Sequence, residues 1–327
     1  MIKCGVPQGS ALGPLLFLLY INDLPNFTDF FTLLFADDTT FQMCHKDLKT
    51  LFELANAELV KASEWFKTNK LTLNVKKTKY ILFRKTNMKL NLNDMFLSIE
   101  SQQIERIGKG CQETSFKFVG HHLDEFLSWD EHISHVKSKL AKSNYLINSS
   151  KNVFPLHIRK QLYNSIFKPH LEFGLLTWGG VKPNQLKCII NLQKKCVRNV
   201  ANKYFKSHTD PLFKKLNILK FNDLFQFNSI LFMHKFAYAR IPPSINNLFD
   251  PLGINSRTGN YKLPIFKQSF FDKFPTSFLP KMWNMQTNEI KNTLSYQSVK
   301  HKLIDKYISS YEENVKCYFI NCPDCSS

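Results

Sequence analysis

Long apolar runs are missing from this sequence. The best candidate, residues 15–21, falls short of a bilayer span. Lys3 ahead of it loosely mimics a secretory leader, but Asn22, Asp23 and Pro25 follow, without a small-residue cleavage site. The expectation is therefore no membrane association. A disulfide framework is missing too: the eight cysteines are scattered, which reads as reduced thiols in an intracellular protein, nuclear or cytoplasmic. Cys322 and Cys325 form one C-x-x-C pair with Cys317 nearby, and one pair does not close a tetrahedral zinc site. No internal repeat or low-complexity tract is visible.

Negative charge is also scarce. Asp and Glu number 26 against 44 Lys and Arg, a formal net charge of +18. Such an excess on a globular chain points to a polyanionic partner, most often nucleic acid. The deficit is uneven. Residues 1–44 hold Lys3 against Asp23, Asp29, Asp37 and Asp38, a net of −3, which leaves +21 on residues 45–327. Carboxylates at one end and a basic remainder suit a protein that holds metal with the first and phosphates with the second.

What is present begins with "LLFADDTT", residues 33–40. Two β-prone runs flank Asp37 and Asp38, so the pattern predicts a hairpin with both aspartates at its tip. Adjacent carboxylates repel each other, and a hard divalent cation such as magnesium would compensate them. A solvated turn is the plainer alternative. "GVPQGS", residues 5–10, adds Gly5 and Gly9, which allow close backbone approach, Pro7, which stiffens the segment, and Gln8, a donor and acceptor.

The spacing predicts a helix from Pro14 that Pro25 stops, and a long helix capped by Asp47 and running to about Lys67. That helix places Leu48, Leu51, Phe52, Ala55, Leu59, Ala62 and Phe66 on one face. Short strands are expected at "LTLNV" and "KYILF", an irregular insertion or loose strands at 86–113, and a strand pair turning near Gly120. Helices follow: one from Asp130 with Ile133, Val136, Leu140 and Ile147 as its stripe, then about 156–167, about 184–200, the segment 205–240, and one from roughly 289 to 311. Residues 241–283 read as a loop-rich connector.

In combination these blocks resemble reverse transcriptases of non-LTR, LINE-type, Jockey-like retrotransposons. "GVPQGSALGPLLFLLYINDLP" and "LLFADDTTF" carry the resemblance, with "WFKTNKLTLNVKKTKYILF", "FKFVGHHLDEFLSWDEHI" and "QLYNSIFKPHLEFGLLTWGG" following in order. The resemblance implies an α+β fold: a partial polymerase palm over residues 1–128, a helical thumb-like region over 129–205, and a C-terminal helical extension over 206–327. It implies an RNA-directed DNA polymerase, a nucleotidyltransferase using two magnesium ions, or manganese in their place. The partners would be an RNA template, a DNA primer or RNA–DNA duplex, and deoxynucleoside triphosphates. Asp37 and Asp38 would be metal ligands and Lys77 would sit near the departing pyrophosphate. Gly5, Pro7, Gln8, Gly9, Phe35 and Ala36 would line the nucleotide and template, with Phe35 where many relatives have tyrosine. Phe118 and Gly120 would belong to the primer-positioning hairpin. Lys137, Lys139 and Lys142 would track the nucleic-acid backbone.

The sequence also departs from that pattern. His121 and His122 stand where relatives usually place an apolar residue; with His132 and His135 they suggest a metal site that no Cys or carboxylate spacing supports. "MWNMQT" lacks the Leu-Pro that relatives carry after Trp-Asn. Only residues 1–4 precede "GVPQG", so the strand bearing another catalytic aspartate, and the fingers, are expected to be missing. The chain is then expected to be N-terminally truncated and inactive alone. The alternative is a basic nucleic-acid-binding remnant without catalysis.

Overall fold

The computed structural model describes residues 9–86, 88, 91–92, 94–251, 259–265 and 269–312. Its contacts divide the chain into two units: Met1–Phe116 with Asp124–Leu127, and Lys117–Leu123 with Ser128–Ser327. The architecture mixes helices with small two-stranded sheets, consistent with an α+β fold.

The first unit opens with α1, Gly13–Ile21, with Pro14 in its first turn. Pro25 does not end the helical run as expected. It sits in the first turn of a short second helix, α2 (Leu24–Phe27), where its missing N–H costs nothing. Strands β1 (Phe31–Phe35) and β2 (Asp38–Gln42) pair antiparallel. Helix α3, Leu48–Thr68, starts where Asp47 accepts the Thr50 N–H at 2.8 Å. The apolar stripe predicted for it buries Phe52, Ala55, Leu59, Ala62 and Phe66. Ile21 and Leu24 pack with Trp65 and Phe66, and Phe30 packs with Ala55 and Leu59, so α3 is the spine on which α1 and the hairpin lean.

The expected strand at "LTLNV" does not form. Asn74 instead caps a 3₁₀ turn, Val75–Lys77, because its side chain accepts the Lys77 N–H and competes with extended pairing. β3 (Lys79–Ile81) follows, then β4 (Ser98–Ile99), β5 (Gln102–Gln103) and β6 (Glu105–Ile107). β3 pairs with β6 in parallel. β7 (Ser115–Phe118) and β8 (His121–Asp124) form a hairpin. Val119 and Gly120 at its turn both have positive φ, +43° and +84°, as a type I′ turn requires.

The second unit is helical. α4, Asp130–Ser149, buries Ile133, Val136, Leu140 and Ile147, the predicted stripe. α5 (Leu156–Leu162) runs into a π-bulge at Tyr163–Phe167 and then α6 (Lys168–Glu172). Pro169 lacks the N–H that would continue the α-helical ladder there, which gives the bulge its cause. α7 (Leu175–Trp178), α8 (Pro183–Ala201), α9 (Asp210–Leu216) and α10 (Phe221–Ala237) follow. α11 (Pro275–Asn284) occupies the end of the expected connector and buries Trp283, whose indole N–H donates to the Gly259 carbonyl at 2.9 Å. The last expected helix is two: α12 (Asn288–Asn292) and α13 (Tyr296–Ser309). Ser295 restarts the chain as the N-cap of α13, accepting the Ser298 N–H. One apolar core runs through this unit from Trp129 to Tyr311. Asn199 of α8 donates to Asn144 of α4 at 2.8 Å inside it, and Gln193 donates to the Tyr163 hydroxyl at 3.1 Å.

No helix among the described residues is long and apolar enough to cross a membrane. Cys44, Cys111, Cys188 and Cys196 are free thiols. Cys317, Cys322 and Cys325 lie outside the described residues.

Candidate active site

The aspartate hairpin forms with a tighter turn than the sequence suggests. Phe35 and Asp38 are register partners, so the two-residue loop is Ala36–Asp37 and Asp38 is already the first residue of β2. Ala36 carries φ +53° while Asp37 does not take a positive φ. That pattern, left-handed at the first loop position only, belongs to the II′ family of hairpin turns, where glycine is normally preferred. An L-residue there stores roughly 1–2 kcal/mol of backbone strain.

The pleat fixes the sides. Phe31, Leu33 and Phe35 alternate outward, and register places Asp38 on that same face. Leu34 and Phe41 turn inward, and Phe41 stacks on Phe30 at 4.9 Å. Asp37 and Asp38 are both exposed, and neither carboxylate forms a hydrogen bond or ion pair among the described residues. Phe35 is 60% exposed beside them.

The approach to β1 is held by a residue that sequence reasoning missed. Glu58 of α3 is buried, accepts the Asp29 N–H at 2.8 Å and receives Lys61 Nζ at 2.6 Å. Burial pushes its carboxyl pKa up, but the hydrogen bonds from Lys61 and Asp29 and the Lys61 charge outweigh that and hold it below the ordinary value. A glutamate inside an apolar helical face, three residues before a lysine, was the available signal.

The other predicted residues fall as follows. Gly9 is exposed with φ +85° and open space around it. Gly5, Pro7 and Gln8 lie outside the described residues. Lys77 is exposed on its 3₁₀ turn and makes no hydrogen bond or ion pair with the hairpin. Phe118 ends β7 half-buried; at Gly120 a Cβ would lie 2.9 Å from the Phe173 ring. Lys137, Lys139 and Lys142 are exposed along α4 without ion-pair partners among the described residues.

The four histidines do converge. His121 stacks on His132 at 5.0 Å and His122 lies 4.8 Å from His135, with Trp129, Phe173 and Trp178 against them. Burial, then repulsion from His121, His122 and His135, lowers the His132 pKa to about 4. Yet no group of three or more His, Cys, Asp or Glu among the described residues is arranged to hold a metal ion, here or at the hairpin. Asp37 and Asp38 suit a hard divalent cation by donor type and fall short of a full ligand set.

Residues 1–123 match the family described as reverse transcriptase (RNA-dependent DNA polymerase). The chain is 25% identical over 240 residues to the RNA-directed DNA polymerase from mobile element jockey of Drosophila melanogaster, covering 69% of this chain and 25% of the relative. It is 25% identical over 215 residues to a probable RNA-directed DNA polymerase from transposon X-element of the same fly, covering 61% and 22%. The jockey polymerase of Drosophila funebris is 22% identical over 268 residues, covering 77% and 27%. The chain spans about a quarter of the length of these curated relatives. No solved structure matches it significantly. The chain thus resembles the reverse transcriptases of non-LTR mobile elements, and the resemblance is to nucleotidyltransferases.

Proposed function

We propose that the β1–β2 hairpin is the metal-binding carboxylate turn of an RNA-directed DNA polymerase. The observation that carries this reading is the pair Asp37 and Asp38, exposed and unpartnered on a strained turn inside the matched residues. Asp37 and Asp38 would hold divalent magnesium, which when bound lowers the charge of the triphosphate and the pKa of a primer hydroxyl. Phe35, on the Asp38 face, offers a flat apolar surface to the incoming nucleotide. Lys77, exposed and unpaired, can meet a phosphate oxygen. The first unit then corresponds to a partial palm, and the helices from α4 to α8 to a thumb. Template, primer and deoxynucleotides are the partners this implies.

Two carboxylates without a third metal ligand among the described residues make a weak centre. The chain alone is therefore proposed to extend primers poorly or not at all. Primer extension on an RNA template with magnesium or manganese tests both parts. Extension that Asp37→Asn with Asp38→Asn removes supports the hairpin and overturns the inactivity. Extension unaffected by the pair overturns the hairpin assignment. No extension, even when a longer chain bearing these residues is active and loses activity with the same pair, supports both.

The second reading is nucleic-acid binding without catalysis, favoured by the +21 on residues 45–327 and the unpaired lysines of α4. It requires binding that falls steeply with salt and ignores Asp37→Asn.

A further inference from the structure

The first unit also contains a cationic feature, apart from the acidic hairpin. A cavity of about 580 Å³ is lined by Arg84, Arg106 and Lys109, with Phe126, Met88 and Leu92 as its aromatic and apolar wall. Among the described residues, no acidic side chain lines it. The size falls in the range of small-ligand sites, roughly 300–1,000 Å³.

Beneath it lies one carboxylate. Glu125 is 2% exposed and accepts Arg84 Nε and Nη2, both at 3.0 Å, and the Lys109 N–H at 2.9 Å. Gly108 permits this approach: a Cβ there would stand 2.9 Å from Glu125 Oε2. Arg106 Nη1 reaches Glu125 only at ion-pair distance, 3.8 Å, and is buried without a hydrogen-bond partner. One negative charge therefore serves two guanidiniums, and Lys109 adds a third cation. Arg106 Nη2 donates to the Lys109 carbonyl at 3.2 Å, so Nη1 is the one buried donor of this guanidinium left unpaired, and an anion is a group that would satisfy it. The Arg84 guanidinium lies 4.7 Å from the centre of the Phe126 ring, so the cationic and aromatic walls adjoin.

We propose that this cavity binds a phosphorylated nucleotide unit, its phosphate on Arg106 and Lys109 and its base against the Phe126 wall. Arg84, tied bidentately to Glu125, positions the wall and does not bind the phosphate. The unit can be a free mononucleotide or one residue of a strand. The site needs neither metal nor the aspartate hairpin, so it stands or falls apart from the polymerase reading.

The test is titration of the full chain in EDTA with AMP, inorganic phosphate and an eight-nucleotide single strand. The same ligands are titrated against Lys109→Glu, Arg106→Gln and Phe126→Leu, with thermal melting as a fold check. Lys109 is exposed, so its variant should melt like the parent. Saturable AMP binding, weakened about tenfold or more by Lys109→Glu and reduced by Phe126→Leu, is the expected result. A response to Lys109→Glu with the strand alone would assign the site to a nucleotide within a chain. Phosphate binding as tight as AMP would overturn the nucleotide assignment. Absence of saturable binding, or unchanged affinity in both Lys109→Glu and a folded Arg106→Gln, would overturn the site.

Discussion

The backbone N–H of His122 donates to Nδ1 of His132 at 3.3 Å, and this bond ties strand β8 to helix α4. It also fixes a protonation state. An Nδ1 that accepts carries no proton, so His132 is the neutral Nε2–H tautomer. Its surroundings agree: the residue is 1% exposed, and His121, His122 and His135 crowd it with Trp129 and Trp178. Lys139 and Lys117 add positive charge beside His135. Protonation would break the bond to His122 and place a charge in a buried site beside three other imidazoles.

The pH consequence has a definite sign. The His132 pKa falls from the ordinary 6.5 to about 4 on folding, so the unfolded chain binds this proton first. Stability from this group is complete above pH 6.5 and is lost as pH falls from 6.5 toward 4, by up to roughly 3 kcal/mol. Urea unfolding at pH 7.5 and 5, compared with His132→Gln, measures it. A parent chain whose pH slope matches that of the variant would sink the assignment.

Gly174 should be intolerant of any side chain. Its φ is +58°, and a Cβ would come 1.7 Å from His121 Nε2. Gly174→Ala combines left-handed strain with displacement of a packed imidazole, and the expected loss is about 2 kcal/mol or more. The clash, but not the strain, should vanish with His121→Ala in the same chain. A double variant no better than additive would show that His121 does not occupy this space in solution.

Local signals were the legible part of this structure. Asp47 announces α3, and Ile133, Val136, Leu140 and Ile147 announce the buried face of α4, because capping and periodicity act within a few turns. The aspartate hairpin was readable for the same reason. Its turn type was not, since alanine gives no hint of φ +53° at residue 36. Nor was the parallel pairing of β3 with β6, which joins residues 79–81 to 105–107 across an irregular insertion. The same limit hid Glu125: nothing near it in sequence shows that Arg84 lies 3.0 Å away. The break at Thr293–Ser295 was missed because apolar spacing continues through it while Ser295 caps a new helix.

The strain at Ala36 makes a prediction for the hairpin. Ala36→Gly removes an unfavourable left-handed alanine and adds unfolded-chain entropy of about 0.4–1 kcal/mol. Relief of the strain, about 1–2 kcal/mol, outweighs that entropy. The variant should be as stable as the parent or more so by up to about 1 kcal/mol, and Ala36→Val should be less stable than either. Thermal unfolding of the three chains decides it. A glycine variant markedly less stable than the parent would mean that residue 36 is not left-handed.

The lysines of α4 can be judged by salt. Lys137, Lys139 and Lys142 are exposed and without ion-pair partners among the described residues, so replacing them breaks no ion pair. If each meets a phosphate of a duplex, each contributes about 0.9 to the slope of log affinity against log salt. The triple change to alanine should then flatten that slope by nearly 3 and weaken binding similarly across sequences. The hairpin pair Asp37→Asn with Asp38→Asn should leave the slope intact or strengthen binding slightly, because it removes negative charge. Fluorescence anisotropy of a labelled RNA–DNA duplex from 50 to 300 mM salt, chosen to bracket roughly physiological strength, gives both numbers. An unchanged slope in the folded triple variant would move the duplex contact off α4, leaving the remaining basic surface of residues 45–327 to account for binding.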